Sequence, residues 1–234
     1  MAILVNLSNR MIIEDSLCCD CSDVQVSNCD LSRVSVENSK WMSNSINNSN
    51  APNVEFISSR LEDVTLYRSN FEKSKYIDSV FYQVTFSGLT LIKSEWNSVK
   101  MRNFTLKHCT MQRASIEKCI VEDSIFSDFE ALDADVCDCF FKNCKFELTD
   151  DAGMNGFSSA NIRSSIFYNC SFSGYPLRGS NVLSCVFINP TGFIADDIEI
   201  NNTVGLESVM RSNVKEKTLS NIDSAKKFIQ EWNK

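Results

Sequence analysis

The chain has 234 residues, a formal net charge of −7, 11 Cys, one His, and only 7 Gly and 3 Pro. So little Gly and Pro excludes collagen-like and Pro/Gly-rich disordered chains, and leaves turns to be made by residues that repeat along the chain. The acidic balance makes a polyanion an unfavourable direct partner.

Residues 1–20 read as a cap. Ala2–Leu7 is apolar but too short for a signal-peptide core or a membrane span, and suits a first strand over the open end of a core. With no signal peptide legible, a cytoplasmic location is expected.

From Cys21 to Phe146 every fifth residue is apolar without a miss. Leu61, Leu66, Phe71, Tyr76, Phe81 and Phe86 sample the run. Neither a helix nor an ordinary strand can use a strict period of five, so the pattern reports a repeat architecture. Two residues before each large one, the side chain is mostly Ala, Ser, Cys or Val; Asn44, Leu89, Phe104 and Phe129 are the exceptions. A large and a small inward residue, two apart, describe one short side of a square coil. Four sides close a turn, and each inward residue then stacks on its counterpart twenty positions on. Phe56, Tyr76 and Trp96 form one such column, and Phe81, Met101, Val121 and Phe141 another. At about 4.8 Å per turn, about eight coils make a rod on the order of 40 Å long.

The cysteines follow the same registers. Cys19, Cys29, Cys109, Cys119, Cys139, Cys144, Cys170 and Cys185 occupy small inward positions and Cys21 a large one, as expected of reduced packing thiols in a cytosolic protein. Cys119 and Cys139 should stack on adjacent coils. Cys18-Cys19-x-Cys21 and Cys137-x-Cys139 lack zinc-type spacing and a His partner, so neither a metal nor a cofactor is expected.

After Phe146 the phase slips. Phe157, Ile162, Phe167, Phe172, Leu177, Val182 and Phe187 form a second series, and the offset reads as one residue inserted within 147–156. The period ends after Phe193, which divides the chain into a β-helix over 1–193 and a C-terminal segment over 194–234. In that segment 221–233 reads as a helix capped by Ser220 or Asn221. Ile222, Ala225, Phe228, Ile229 and Trp232 share one face, suited to a lid over the last coil or to a homodimer contact.

No constellation for catalysis is legible. His108 falls at an outward position and Cys109 at an inward one, so the two would point apart. No glycine-rich nucleotide loop and no zinc-protease motif occurs. The chain is therefore expected not to be an enzyme. Charge is unevenly placed: Glu122 to Asp151 holds ten acids against Lys142 and Lys145 alone. Glu130, Asp133, Asp135 and Asp138, with Asp150 and Asp151, form the candidate partner-binding surface; plain solubilising charge is the other reading. Arg33, Lys73, Lys93 and Arg113 line a separate basic strip.

The repeated small-x-large-x-x pattern resembles the pentapeptide-repeat proteins over about residues 17–190. That resemblance implies an all-β solenoid, a right-handed quadrilateral β-helix. Ser165–Gly174 and Phe141–Phe146 are most similar to the quinolone-resistance and microcin-immunity branch. The branch implies a non-enzymatic DNA mimic that binds a type II topoisomerase (DNA gyrase or topoisomerase IV) and modulates or protects it. Duplex DNA carries one charge per about 1.7 Å of axis, and a stiff acidic rod of similar thickness can enter a cationic DNA groove. The partner is then a protein, with no direct nucleic acid and no membrane, and the C-terminal ends of several relatives imply a homodimer. Pentapeptide-like β-helices also occur in secreted bacterial effectors. On that alternative the chain is an effector or its substrate-recognition module acting on a host protein, and the Ser/Asn-rich Ser43–Asn50 would suit it.

Overall fold

In the repeating unit a short extended stretch places one large side chain inward and its two neighbours outward. Thr65–Tyr67 is such a strand, with Leu66 buried between two outward residues. Two residues past each large one the backbone turns through the left-handed region. From Asp23 to Asn143 every fifth residue has φ between 45° and 66°. No Val, Ile or Thr occupies any of these corners, because a branched Cβ clashes most strongly there, whereas Asp, Asn and Ser tolerate it.

The computed structural model describes residues 7–8, 16–17, 20–149, 154–194, 197–201 and 203–205. They wind into a parallel β-solenoid with four faces. The first face is a nine-stranded sheet running from Leu7–Ser8 to Ser171–Ser173 and containing Leu66 and Phe86. The third is a ten-stranded sheet from Ser16–Leu17 to Glu199–Asn201, containing Tyr76. The fourth is a nine-stranded sheet from Cys21–Ser22 to Val186–Ile188, containing Phe81. The second face, containing Phe71, is made of hydrogen-bonded turns. Ser74 N donates to Phe71 O at 3.2 Å and Ala134 N to Ala131 O at 3.2 Å. Single parallel bridges (Asp30 to Asn50, Asn70, Thr90, Thr110, Glu130 and Gly156) tie these turns together.

The register is the one the period of five dictates. Leu66 lies opposite Ile46 and Phe86, and Tyr76 opposite Phe56 and Trp96. Phe81, Met101, Val121 and Phe141 stack in order. Phe71, Tyr76, Phe81 and Phe86 are completely buried. Each such ring contributes about 1.5–3 kcal/mol by leaving water. Stacked rings keep the spacing of the coils: Phe141 and Phe167 centroids are 4.9 Å apart and Phe167 and Phe187 4.8 Å, each pair within 8° of parallel.

The small register also has a polar role. Ser79 Oγ accepts the Ser59 amide at 3.2 Å and donates to Phe56 O at 3.0 Å, so a hydroxyl clamps one coil to the previous one. Cys109 Sγ does the same for the Leu89 amide, at 3.4 Å, and its thiol is pushed up to about 11 by burial. Asn44, out of pattern by size, makes an equivalent clamp. Its Oδ1 accepts the Val24 amide at 2.8 Å and its Nδ2 donates to Cys21 O at 3.2 Å. Cys119, Cys139, Cys144, Cys170 and Cys185 are buried free thiols in this register.

Two expectations are corrected. The rod has about nine turns rather than eight. Leu7–Ser8 and Ser16–Leu17 pair with Val26–Ser27 and Ser35–Val36 at an offset of nineteen, and Glu199–Asn201 pairs with Asn181–Leu183 at an offset of eighteen. Coils of those lengths break the period of five but still close the square, so the winding runs past Phe193 to Val204, which bridges Val186. The insertion is six residues, not one. Val136 lies opposite Ile162, Phe141 opposite Phe167 and Phe146 opposite Phe172, all at an offset of twenty-six. One side of the coil plus one residue leaves the winding after Phe146, and a phase shift cannot tell one residue from six when the period is five.

Candidate functional site

Outward positions of the third face carry Glu37, Glu55, Glu95, Glu117, Asp135 and Glu199 against Lys75 and Arg163. The fourth face has the opposite balance, with Lys40, Arg60, Lys100, Arg102 and Lys142 against Glu62 and Glu122. The alternation of strands exposes both sets, and the in-register stack lines them up.

The structure brings Asp133, Asp135 and Asp138 to one side of the rod. Asp135 lies on the third-face strand Asp135–Cys137, and Asp133 and Asp138 are the corners bounding it, with φ of 55° and 54°. Glu130 lies on the adjoining second face, half-buried, where Gln112 Nε2 donates to it at 3.1 Å. Asp150 and Asp151 lie outside the described residues, as do Ile222, Ala225, Phe228, Ile229 and Trp232 and the expected helix. Asp123, Asp128, Asp133 and Asp138 are the four successive corners of one coil. Their acidity therefore rings the rod, and much of it answers the backbone's need for a left-handed residue.

Neighbours temper the cluster. Asp133 Oδ2 is 3.9 Å from Arg113 Nε, which ends the basic corner column of Arg33, Lys73, Lys93 and Arg113. Asn161 Nδ2 donates to Asp135 Oδ1 at 3.1 Å. Glu55 Oε1 is 2.9 Å from Lys75 Nζ. The site is thus an acidic face edged by a cationic ridge. Glu37 to Glu199 spans eight inter-coil steps, about 38 Å. Six acids over that length give one charge per about 6 Å, roughly a quarter of the linear charge of duplex DNA.

His108 is exposed, 3.9 Å from Asp128 Oδ2, while Cys109 is buried in the core, so the two side chains do point apart. Among the described residues no cluster of His, Cys, Asp or Glu is arranged to hold a metal ion, and no helix is long and apolar enough to cross a membrane.

Two features escaped sequence reasoning. A cavity of about 550 Å³ opens beside the insertion, between Leu148, Thr149, Ser158, Tyr175 and the Arg178–Asp197 ion pair. The last coils of the fourth face carry an apolar outer cluster of Ile166, Val186, Ile188 and Val204, with Phe140 and Tyr168 beside it. The available signal was a doubled apolar residue at the same place in successive turns: Phe140-Phe141, Ile166-Phe167 and Val186-Phe187.

No family model matches the chain, and no curated protein matches it. Solved structures do. A trypsin-treated form of QnrB1, a plasmid-mediated fluoroquinolone resistance protein, aligns over 86% of this chain and 91% of its own with a TM-score of 0.62 at 11% identity. HetL, a pentapeptide-repeat protein involved in heterocyst differentiation regulation from the cyanobacterium Nostoc, aligns over 79% of this chain and 88% of its own with a TM-score of 0.22 at 12% identity. The unbroken small-x-large-x-x run is wound into a square parallel β-solenoid, and that fold is what the chain shares with QnrB1.

Proposed function

We propose that this protein is a non-catalytic binding rod that works in the cytoplasm and engages a cationic protein surface through its third face. The DNA-binding groove of a type II topoisomerase is the specific partner we propose. One observation carries the reading: third-face acids of many coils are aligned on a stiff scaffold, with Asp133, Asp135 and Asp138 converging on one coil. A packed solenoid presents such charges with little ordering cost on binding. The likeness in fold to a fluoroquinolone resistance protein favours the same partner class. The modest charge density argues for complementarity at a few points rather than wholesale imitation of a phosphate backbone.

The test is a gyrase supercoiling assay with and without fluoroquinolone. Micromolar protein is expected to change supercoiling or relieve the drug. The Glu95→Lys, Glu117→Lys and Asp135→Lys triple variant should lose the effect with an unchanged circular dichroism spectrum. No effect of the unaltered protein would remove the topoisomerase. An intact effect in the triple variant would remove the third face.

A further inference from the structure

We propose that these rods pack side by side with copies of themselves, the acidic third face of one on the basic fourth face of the next, and that four copies close a square bundle. Both faces belong to the same parallel winding, so their charges repeat along the rod at the same interval, about 4.8 Å per coil. Acids outnumber cations on the third face, and cations outnumber acids on the fourth. Two surfaces of opposite sign and equal period are complementary where their heights agree.

The heights do agree. On one coil the third and fourth faces differ by a quarter turn, a rise of about 1.2 Å. Two parallel copies in step therefore set Glu37 against Lys40 and Glu55 against Arg60. They also set Glu95 against Lys100 and Asp135 against Lys142. Between these, Ile77 on the third face meets Val80 and Tyr82 on the fourth, all three half-buried. The coil of Glu117 and Glu122 is the mismatch, acid against acid. A slip of one coil is worse in either direction, because it sets Lys75 against Arg60 or against Lys100.

The square section fixes the number of copies. A two-fold pair would lay the third face on another third face, acid on acid. Joining a third face to a fourth instead turns each copy through a right angle from the last, since the two faces meet at one edge. Four right angles close a ring with no step along the axis. A side is three extended residues wide, about 10 Å, so six coils offer on the order of 300 Å². A stable pair buries about 800 Å² per partner, so an isolated contact is weak. The ring gives every copy two such contacts, and assembly is therefore cooperative. The bundle needs no second protein. It hides the third face of each rod, so bundling and capture of a cationic groove exclude one another.

Sedimentation of the purified chain over a range of concentrations tests the bundle. Monomer is expected to pass to tetramer with little dimer. Raising salt from about 0.1 M to 1 M, which shortens the screening length from about 10 Å to 3 Å, should dissociate it. Two variants change outward residues alone: Glu37→Lys with Glu95→Lys and Asp135→Lys, and Lys40→Glu with Lys100→Glu and Lys142→Glu. Each should stay monomeric with an unchanged circular dichroism spectrum. Mixed in equal amounts they should recover the tetramer, because every junction of an alternating ring then joins opposite charges. That recovery also shows that both variants fold. A protein that stays monomeric at low salt would overturn the proposal. So would a dimer indifferent to salt, a tetramer that survives in either variant, or a mixture that stays apart.

Discussion

Asp128 accepts two hydrogen bonds from Thr149, one from its backbone N–H and one from its hydroxyl, both at 2.8 Å. This pins the chain where it leaves the winding to make the six-residue insertion. Unlike the other corners of its coil, Asp128 is buried. Burial raises its pKa, but the two Thr149 bonds and the charges of His108 and Lys107 outweigh that and hold the carboxyl below its ordinary value. Asp128→Ala should cost about 1.5–3 kcal/mol, the range for bonds to a charged acceptor, and should remove protection of the Thr149 amide in hydrogen exchange. Because the folded pKa is depressed, this stabilisation is complete above the unfolded carboxylate value, about 3.9, and fades as pH falls through the folded value.

Glu62 on the fourth face sits between Lys40, 3.1 Å away, and Arg60, 2.9 Å away. The Arg60 and Lys40 hydrogen bonds hold its carboxyl at about 2. A carboxyl-resolved NMR titration should find that midpoint, and Arg60→Ala should move it upward. The linked stability is present above the unfolded value of about 4.3 and disappears between there and the folded one.

Corners discriminate by backbone, not by polarity. Gly88 has φ of 66°, and a Cβ there would meet Arg68 Cγ at an ordinary 3.5 Å. Gly88→Asn should therefore leave the melting temperature nearly unchanged, since Asn tolerates the left-handed region and restricts the unfolded chain. Asn103→Val, at a corner with φ of 53°, should lower stability by about 1–2 kcal/mol.

Core and surface separate as sharply. Phe86→Ala should cost about 3–5 kcal/mol in denaturant titration, and Phe86→Asp should abolish folding. Lys73→Glu, at an exposed corner, should stay within about 0.5 kcal/mol of the unaltered protein.

The columns through Tyr76 and Phe81 could be read from residue identities because a strict period leaves one way to stack a square coil. Length changes were less legible. The coils ending at Val26 and at Ile200 close with fewer residues, and the period alone cannot register them. At the insertion, the phase of Phe157 and Ile162 fixed only a remainder. The acidic zone was visible as composition, but its cause, left-handed corners at Asp123, Asp128, Asp133 and Asp138, is a property of the backbone. Asp128 looked like its three fellows, and only the path of Thr149 over it sets it apart. Ile166 and Val186 were hidden because an apolar residue beside a core residue looks like more core.

Scalar coupling across backbone hydrogen bonds measures the winding itself. Thr85 N donates to Val64 O at 2.9 Å, and beyond the insertion Asn161 N donates to Ala134 O at 2.9 Å. Both couplings should appear in an NMR experiment on labelled protein. Absence of the Thr85–Val64 coupling would contradict the square winding, and a coupling from the Asn161 amide to the Cys139 carbonyl, as a single inserted residue would require, would contradict the six-residue insertion.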